Sequence, residues 1–154
     1  FSPPSEPSPP MPASHVPVST SARADLGLLL VRGAVGVSFL MHGAQKVFER
    51  GIAGVTEGFA GMGLPMAGVI APLVSLGEFL GGIALLAGFL TRVAGAGLTL
   101  IMLGAMGLVH LKNGFFGSSG GIELVLLLGA GAAGIALTGP GRYSVDAWRA
   151  RHRG

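Results

Sequence analysis

Two separated stretches of the chain carry the residue types that proton and ligand chemistry requires. His42 and Lys46 lie four residues apart, and His110, Asn113 and Glu123 follow in a second stretch. Histidine exchanges protons near neutral pH, so His42 and His110 are candidate proton-exchanging groups. Lysine stabilises negative charge that develops on a ligand, which makes Lys46 the third candidate catalytic residue. Asn113 and Glu123 add hydrogen-bonding groups for substrate binding.

Each of these groups also has an ordinary structural interpretation. The two histidines are hydrogen-bond partners between helices, contacts to a ligand such as a quinone, or metal or haem ligands, and no metal site is assigned. Lys46 either serves the site or lies among lipid headgroups. Phe115 is either an aromatic residue at the membrane surface or a ring that stacks on a planar ligand, and it is kept as a candidate substrate contact. The chain has no cysteine, which excludes disulfides, thiol relays and cysteine-ligated clusters.

Two further charged residues, Arg32 and Glu78, lie inside apolar stretches. A carboxylate at the centre of a membrane helix costs about 2.5–3.5 kcal/mol, so Glu78 needs a partner or a proton. A rise of about 1.5 Å per residue puts Arg32 within about two helical turns of the depth of Glu78, which predicts a structural Arg32–Glu78 pair. The same estimate puts Lys46 and Glu123 in one outer layer, where their opposite charges predict an ion pair.

Long apolar runs must position these residues. Half of the 154 residues are hydrophobic and 11% are charged, whereas a soluble domain has about 25% charged residues. Since a membrane-spanning helix needs about 20 apolar residues, the pattern predicts an all-α integral membrane four-helix bundle. The predicted segments are a disordered Pro/Ser-rich tail (1–22), the membrane domain (23–141) and a basic tail (142–154). Within the membrane domain, the predicted helices span residues 25–49, 66–90, 93–111 and 122–138.

The distribution of basic residues predicts the orientation of the bundle. Four spans put both termini on one side, and the excess of arginine on that side marks it as cytoplasmic. We therefore expect a multi-pass protein of the cell membrane whose polar layer faces outwards. The first span is expected to act as its own insertion signal, because no basic segment with a cleavage site precedes it. The net charge of +3 gives no indication of nucleic-acid binding, and the glycine-rich faces fit either packing within one bundle or a homo-oligomer.

Several short motifs occur in the order found in one known family. The first group is His42-Gly43-x-x-Lys46 after a span with Arg32, then Gly77-Glu78-x-Leu80-Gly81-Gly82 and Thr91-Arg92. The second is His110-x-x-Asn113-Gly114-Phe115-Phe116, Gly121-x-Glu123 and Gly139-Pro140-Gly141-Arg142-Tyr143-Ser144-x-Asp146. Together these motifs resemble the DoxX family of small bacterial and archaeal membrane proteins, over about residues 26–146.

The resemblance implies a link to respiratory or sulfur redox chemistry, because relatives include the small subunit of thiosulfate:quinone oxidoreductase. It implies a subunit of a membrane oxidoreductase system for sulfur or oxidative-stress chemistry, with quinone as substrate or ligand. Other members are linked to soluble enzymes that detoxify oxidants, so a non-enzymatic anchor that recruits soluble redox enzymes is the alternative. A small transporter, with Arg32 and Glu78 along a polar path, is a further one, and whether the protein is an enzyme stays open.

Overall fold

The structure is a computed structural model that describes residues 19–153, with side chains from residue 22 onward. The predicted tail over residues 1–22 lies mostly outside the described residues. The described residues form helices and no strand. The helices are α1 (Ser19–Ala44, continued by the π-helical turn Gln45–Glu49), α2 (Gly51–Gly61), α3 (Ala67–Ala87), α4 (Thr91–Ala105, continued by the π-helical turn Met106–His110), α5 (Glu123–Thr138) and α6 (Val145–Arg151).

The length and composition of these helices confirm the predicted all-α membrane bundle. Among the described residues three segments are long and apolar enough to cross a bilayer: Ala22–Glu49, Ala67–Ala87 and Thr91–Asn113. The fourth long helix of the bundle is α5, which is also apolar but has only 16 residues. The long helices expose leucine and valine on the outside of the bundle, for example Leu30 and Leu100. Such side chains suit contact with lipid, whereas a water-facing helix needs polar residues.

Helices α1 and α3 touch backbone to backbone at two glycines. A Cβ atom on Gly43 would lie 2.2 Å from the backbone nitrogen of Phe79, and one on Gly82 would lie 2.4 Å from the backbone nitrogen of Leu40. Residue numbers rise along α1 as they fall along α3, so the helices are antiparallel. Small residues permit this close approach in membrane proteins. The two contacts fix the register of α1 against α3.

The remaining contacts close the four long helices into a bundle. Helix α4 packs against α3 and α5, and α5 packs back against α1. A Cβ atom on Gly131 of α5 would lie 2.7 Å from Cγ2 of Val35 on α1. The core between the helices is apolar and centres on fully buried Phe39, Leu85 and Leu98. All four helices therefore share one core, as a single bundle requires.

Arg32 connects α1 to the segment after α5, in an arrangement that we call the Arg32 lock. Arg32 is 2% exposed, and its guanidinium donates hydrogen bonds to the backbone oxygens of Pro140 and Tyr143. Nearby, the backbone nitrogen of Arg142 donates to Oδ1 of Asp25 at 3.1 Å. These contacts bring both ends of the described chain to the same end of the bundle, as an even number of spans requires.

Asp146 holds the tight turn between α3 and α4. The turn needs left-handed backbone at Gly88 (φ +68°) and Leu90 (φ +48°), and the second value is unusual for a leucine. The Asp146 carboxylate accepts hydrogen bonds from the backbone nitrogens of Leu90 (3.0 Å) and Thr91 (2.9 Å) and from the Thr91 hydroxyl (2.9 Å). It thus satisfies donors at the start of α4 that the helix leaves free. Burial raises the pKa of Asp146, but these hydrogen bonds and nearby Arg149 outweigh burial, so the pKa lies below its usual range.

The α1–α3 contact predicts that Gly43→Ala is strongly destabilising. The added methyl group would meet backbone atoms of Phe79, which cannot rotate away, so the helices must separate. We expect a loss of roughly 1–3 kcal/mol, seen as a lower unfolding temperature in detergent by circular dichroism. Gly33→Ala in the same helix is the control, because nothing lies within 4 Å of its Cβ position. Equal unfolding temperatures for the two variants would contradict the contact.

The hydrogen bonds to Asp146 predict a specific dependence on pH. A carboxyl group whose pKa is lower in the folded than in the unfolded state stabilises the fold above its unfolded pKa. We therefore expect the unfolding temperature to fall as the pH drops below about 4, the usual pKa of aspartate, and through the lower folded pKa. Asp146→Asn should lower the unfolding temperature at neutral pH and reduce its further fall at acid pH. An Asn variant with the parent's stability at pH 7 would show that the carboxylate does not stabilise the turn.

Candidate functional site

A cavity of about 430 Å³ lies at the end of the bundle away from the Arg32 lock. All four long helices and the α4–α5 loop line it, and Phe59 of α2 borders it. Its inner wall includes the core residues Phe39 and Met102. Its ionisable lining residues are His42, Lys46, Glu78 and His110. The structure thus brings the three predicted catalytic residues to one cavity, while their chemical roles stay predictions.

Both helices that supply the histidines change their hydrogen-bonding pattern at this cavity. Helix α1 passes into the π-helical turn Gln45–Glu49, which contains Lys46, and α4 passes into the turn Met106–His110. The first turn closes with a bond from the backbone nitrogen of Arg50 to the oxygen of Gln45, at 3.0 Å. Each π-helical turn holds an extra residue and re-aims the side chains near it, and such turns are frequent at functional sites. The apolar pattern of the sequence carries no signal for either turn.

The charge pair in the cavity is Lys46–Glu78. Nζ of Lys46 donates to Oε2 of Glu78 at 2.5 Å. Glu78 is 4% exposed, and the side chain of Lys46 is 20% exposed. A carboxylate this deep in an apolar bundle needs a cation or a proton, and Lys46 supplies the cation. Glu78, which the sequence analysis placed in a structural pair, therefore also lines the candidate site.

This pairing corrects the predicted Arg32–Glu78 pair. The α1–α3 register places Gly43 beside Glu78 and Phe79, whereas a Cβ atom on Gly88 would lie 3.0 Å from Nη1 of Arg32. Arg32 precedes Gly43 by eleven residues in the same helix, which is about 16 Å along its axis. That distance exceeds the reach of an arginine side chain. The depth estimate failed because it aligned helix ends rather than the glycine contacts that set the register.

The α4–α5 loop folds back onto His110. Nδ1 of His110 lies 2.7 Å from the backbone oxygen of Gly120, and Nδ2 of Asn113 donates to the same oxygen at 3.2 Å. Because a carbonyl oxygen only accepts, Nδ1 of His110 must carry the proton. In the neutral ring Nε2 is then free to accept a proton, and in the charged ring it can donate one. Asn113 is exposed and is not among the cavity-lining residues, so its contact braces the loop.

Glu123 also braces the loop instead of pairing with Lys46. Its Oε2 accepts a hydrogen bond from the backbone nitrogen of Gly117 at 2.8 Å. Glu123 is the first residue of α5, where the positive end of the helix dipole favours a carboxylate. The predicted Lys46–Glu123 pair is therefore replaced by Lys46–Glu78, which lies within reach because of the α1–α3 register. Gly117 and Gly120, held by Glu123 and Asn113, do line the cavity.

Phe115 lies on the outside of this loop. It is 51% exposed, and its ring meets that of Phe116 edge to face at 5.5 Å between centroids. Neither ring lines the cavity. Exposed aromatic residues at the end of a membrane helix are typical of the lipid–water boundary. The aromatic residues that do line the cavity are Phe39 of α1 and Phe59 of α2, and the sequence pattern did not single out either one as a site residue.

The helices and the cavity together define a multi-pass α-helical membrane protein with a polar site at one end of an apolar bundle. The model of the DoxX family matches residues 27–111, and the chain belongs to the DoxX family, which confirms the resemblance drawn from its motifs. That match includes the segments with His42, Lys46, Glu78 and His110.

Three proteins are similar to most of the chain. Inner membrane protein YqjF of Escherichia coli (strain K12) is 35% identical over 134 residues, 79% of this chain and 91% of that protein. CatD of Bacillus subtilis (strain 168), named as a proposed oxidoreductase, is 35% identical over 124 residues, 79% of this chain and 86% of that protein. Membrane protein Rv3486 of Mycobacterium tuberculosis (strain ATCC 25618 / H37Rv) is 32% identical over 129 residues, 77% of this chain and 78% of that protein. No solved structure matches the chain significantly.

The Lys46–Glu78 contact predicts an interaction that a double-mutant cycle detects. Lys46→Met leaves Glu78 buried without a cation, so we expect a loss of stability approaching the roughly 3–5 kcal/mol of a broken buried pair. Lys46→Met/Glu78→Gln removes both charges and should be more stable than the single variant. The measurement is the unfolding temperature in detergent at pH 7. Additive losses in the double variant would mean that the two side chains do not interact.

Proposed function

We propose that the protein is a quinone-interacting subunit of a membrane oxidoreductase system for sulfur or oxidative-stress chemistry. The observation that carries the proposal is the convergence of His42, His110 and the Lys46–Glu78 pair on one cavity with otherwise apolar walls. Its volume of about 430 Å³ lies within the range of small-molecule sites, which combine apolar walls with a few polar groups. A quinone head has that character, because it is a flat apolar ring with two carbonyl oxygens.

The polar groups of the cavity fit the proton chemistry of such a head. A bound quinone supplies the redox chemistry, taking up two electrons and two protons when it is reduced to the quinol. Nε2 of His110 and the ring of His42 are the groups that would exchange these protons. The Nδ1 bond to Gly120 holds the His110 ring in one orientation. The Lys46 ammonium would stabilise negative charge that develops on the nearer oxygen, in surroundings whose low polarity strengthens the effect.

The electrons must come from outside this chain, from a soluble redox enzyme or a small reductant such as thiosulfate. The similarity to CatD, a protein named as a proposed oxidoreductase, supports a redox role. We further propose that both termini are cytoplasmic, as the excess of arginine on their side predicts. The cavity at the other end of the bundle then faces outwards. In this orientation the basic residues after α5, including Arg149 and Arg151, meet the cytoplasmic headgroups or a soluble partner.

Two alternatives to this proposal follow from the sequence analysis, a non-enzymatic anchor and a small transporter. A non-enzymatic anchor would use its surface to recruit soluble redox enzymes and would leave the cavity without a redox ligand. The transporter alternative rested on a polar path between Arg32 and Glu78. Arg32 contacts Pro140 and Tyr143 instead, so no described contact carries that path. The anchor is the alternative that a test must separate from quinone binding.

The proposed function predicts that quinone co-purifies with the protein. Lipids extracted from protein purified in a mild detergent should contain quinone at about one molecule per site. His42→Ala/His110→Ala should weaken quinone binding by about tenfold or more, since each lost hydrogen bond is worth up to about 1.5 kcal/mol. Mass spectrometry of the extract and a quinone titration measure both quantities. His152→Ala is the control, because His152 lies in the exposed C-terminal segment and, among the described residues, its side chain hydrogen-bonds only to the backbone oxygen of Trp148.

The opposite result identifies the anchor. If the purified protein holds no quinone and the histidine double variant keeps the activity of its membrane complex, the cavity does not serve a quinone. Soluble redox enzymes that co-purify under those conditions would then be the recruited partners. The unfolding temperature of the double variant must match that of His152→Ala within a few degrees, so that lost binding is not lost folding.

A further inference from the structure

A second cavity lies beside the polar one, between α3 and α4. It has a volume of about 500 Å³ and is lined by apolar side chains and glycines. Leu73 on α3 and Leu100 on α4 line it and are 62% and 69% exposed. Side chains so exposed in the middle of membrane helices face lipid. The cavity is therefore a groove that opens sideways to the bilayer, and we call it the α3–α4 groove.

Glycines on α4 keep this groove open. Nothing lies within 4 Å of a Cβ atom built on Gly97 or on Gly104. These residues are seven apart, which is about two helical turns, so they lie on one face of α4. Glycines between membrane helices usually let the backbones approach, as Gly43 and Gly82 do between α1 and α3. At Gly97 and Gly104 the neighbouring helix leaves the space empty, and unfilled space loses dispersion contacts unless a ligand or lipid occupies it.

The groove and the polar cavity are adjacent. Four residues line both of them: Phe59, Val74, Ala105 and Val109. The two spaces differ in chemistry, because His42, Lys46, Glu78 and His110 line only the polar cavity. Together they match a molecule with a polar head and a long apolar chain, in which the head lies among the ionisable residues and the chain passes Phe59 and Val74 toward the bilayer.

We infer that the α3–α4 groove holds the isoprenoid chain of the quinone and is the path by which it enters from the membrane. This inference rests on the proposed function and narrows the ligand to long-chain, membrane-resident quinones. Binding of the head requires that the chain leave the polar cavity, and the groove is the apolar exit that shares its wall. Filling the groove should therefore exclude long-chain quinones and spare a quinone head that has no chain.

A pair of substitutions in the groove tests this inference. Gly97→Leu/Gly104→Leu fills the space, and Gly134→Leu on α5 is the matched control, since nothing lies within 4 Å of its Cβ position and it lines neither cavity. Binding of ubiquinone-10 and of 2,3-dimethoxy-5-methylbenzoquinone, which has the head alone, is measured in nanodiscs. We expect the groove variant to bind ubiquinone-10 at least tenfold more weakly, while binding of the head alone changes less than twofold. Gly134→Leu should change neither.

The other outcomes separate this inference from the proposed function. If the groove variant binds both quinones as the parent does, the chain leaves the cavity elsewhere, so the groove inference is wrong and the head site stands. If the parent binds neither quinone, the proposed function fails and the inference fails with it.

A second measurement covers the case in which the double leucine variant does not fold. A benzophenone amino acid replaces Leu100 in the groove or Leu30 on α1, two positions of similar exposure, 69% and 66%. Illumination in nanodiscs that contain ubiquinone-10 should attach quinone at position 100 well above the level at position 30. Attachment of phospholipid alone at both positions would show that an ordinary acyl chain occupies the groove, and would overturn the inference.

Discussion

The architecture depends on the backbone contact between α1 and α3. At Gly43 and Gly82 the helices lie too close to admit even a methyl group, so neither helix can slide by a turn without a collision. Because of this register, Lys46 lies next to Glu78, and Arg32 lies next to Gly88 and the segment after α5. Two glycines therefore decide which charges meet inside an apolar bundle, where a charge without a partner is costly. The hydrophobic effect cannot set this register, because lipid chains are as apolar as the helix faces they touch.

The Lys46–Glu78 pair shows how the bundle can hold charge beside a cavity. A buried ion pair often contributes little net stability, because desolvation offsets the attraction between the charges. Its structural effect here is to keep the Glu78 carboxylate buried in the bundle, a position that is costly for a carboxylate without a cation. The pair also fixes the Lys46 ammonium at the cavity, where the π-helical turn Gln45–Glu49 presents it. In the proposed function, a ligand oxygen that approached Lys46 would compete with Glu78, so ligand binding would be linked to the contact between α1 and α3.

The sequence predicts the class of fold well and the contacts within it less well. Apolar runs and the polar segments between them predict a helical membrane bundle. The spacing of His42, Lys46 and His110 predicts one polar layer, and all three residues line the cavity. The partners of Arg32 and Glu123 could not be predicted, because partner choice depends on a register that hydropathy does not encode. The residues that set the register of α1 against α3 are glycines, and the sequence alone does not distinguish them from the many other glycines of the chain. The π-helical turns escape prediction for a related reason, since one extra residue in a turn leaves the apolar pattern almost unchanged.

The two ends of the bundle differ in how regular their backbone is. At one end the helices stay regular and side chains hold their termini: Arg32 donates to the oxygens of Pro140 and Tyr143, Asp146 accepts from the backbone at the start of α4, and Arg92 donates to the oxygens of Ala136 and Leu137 at the end of α5. At the other end π-helical turns and a glycine-rich loop replace regular helix, and a cavity of about 430 Å³ remains between them. Irregular backbone at membrane depth is tolerated where it lines a cavity or is buried in protein. The regular end can therefore maintain the fold, while the irregular end holds the ionisable groups that line the cavity.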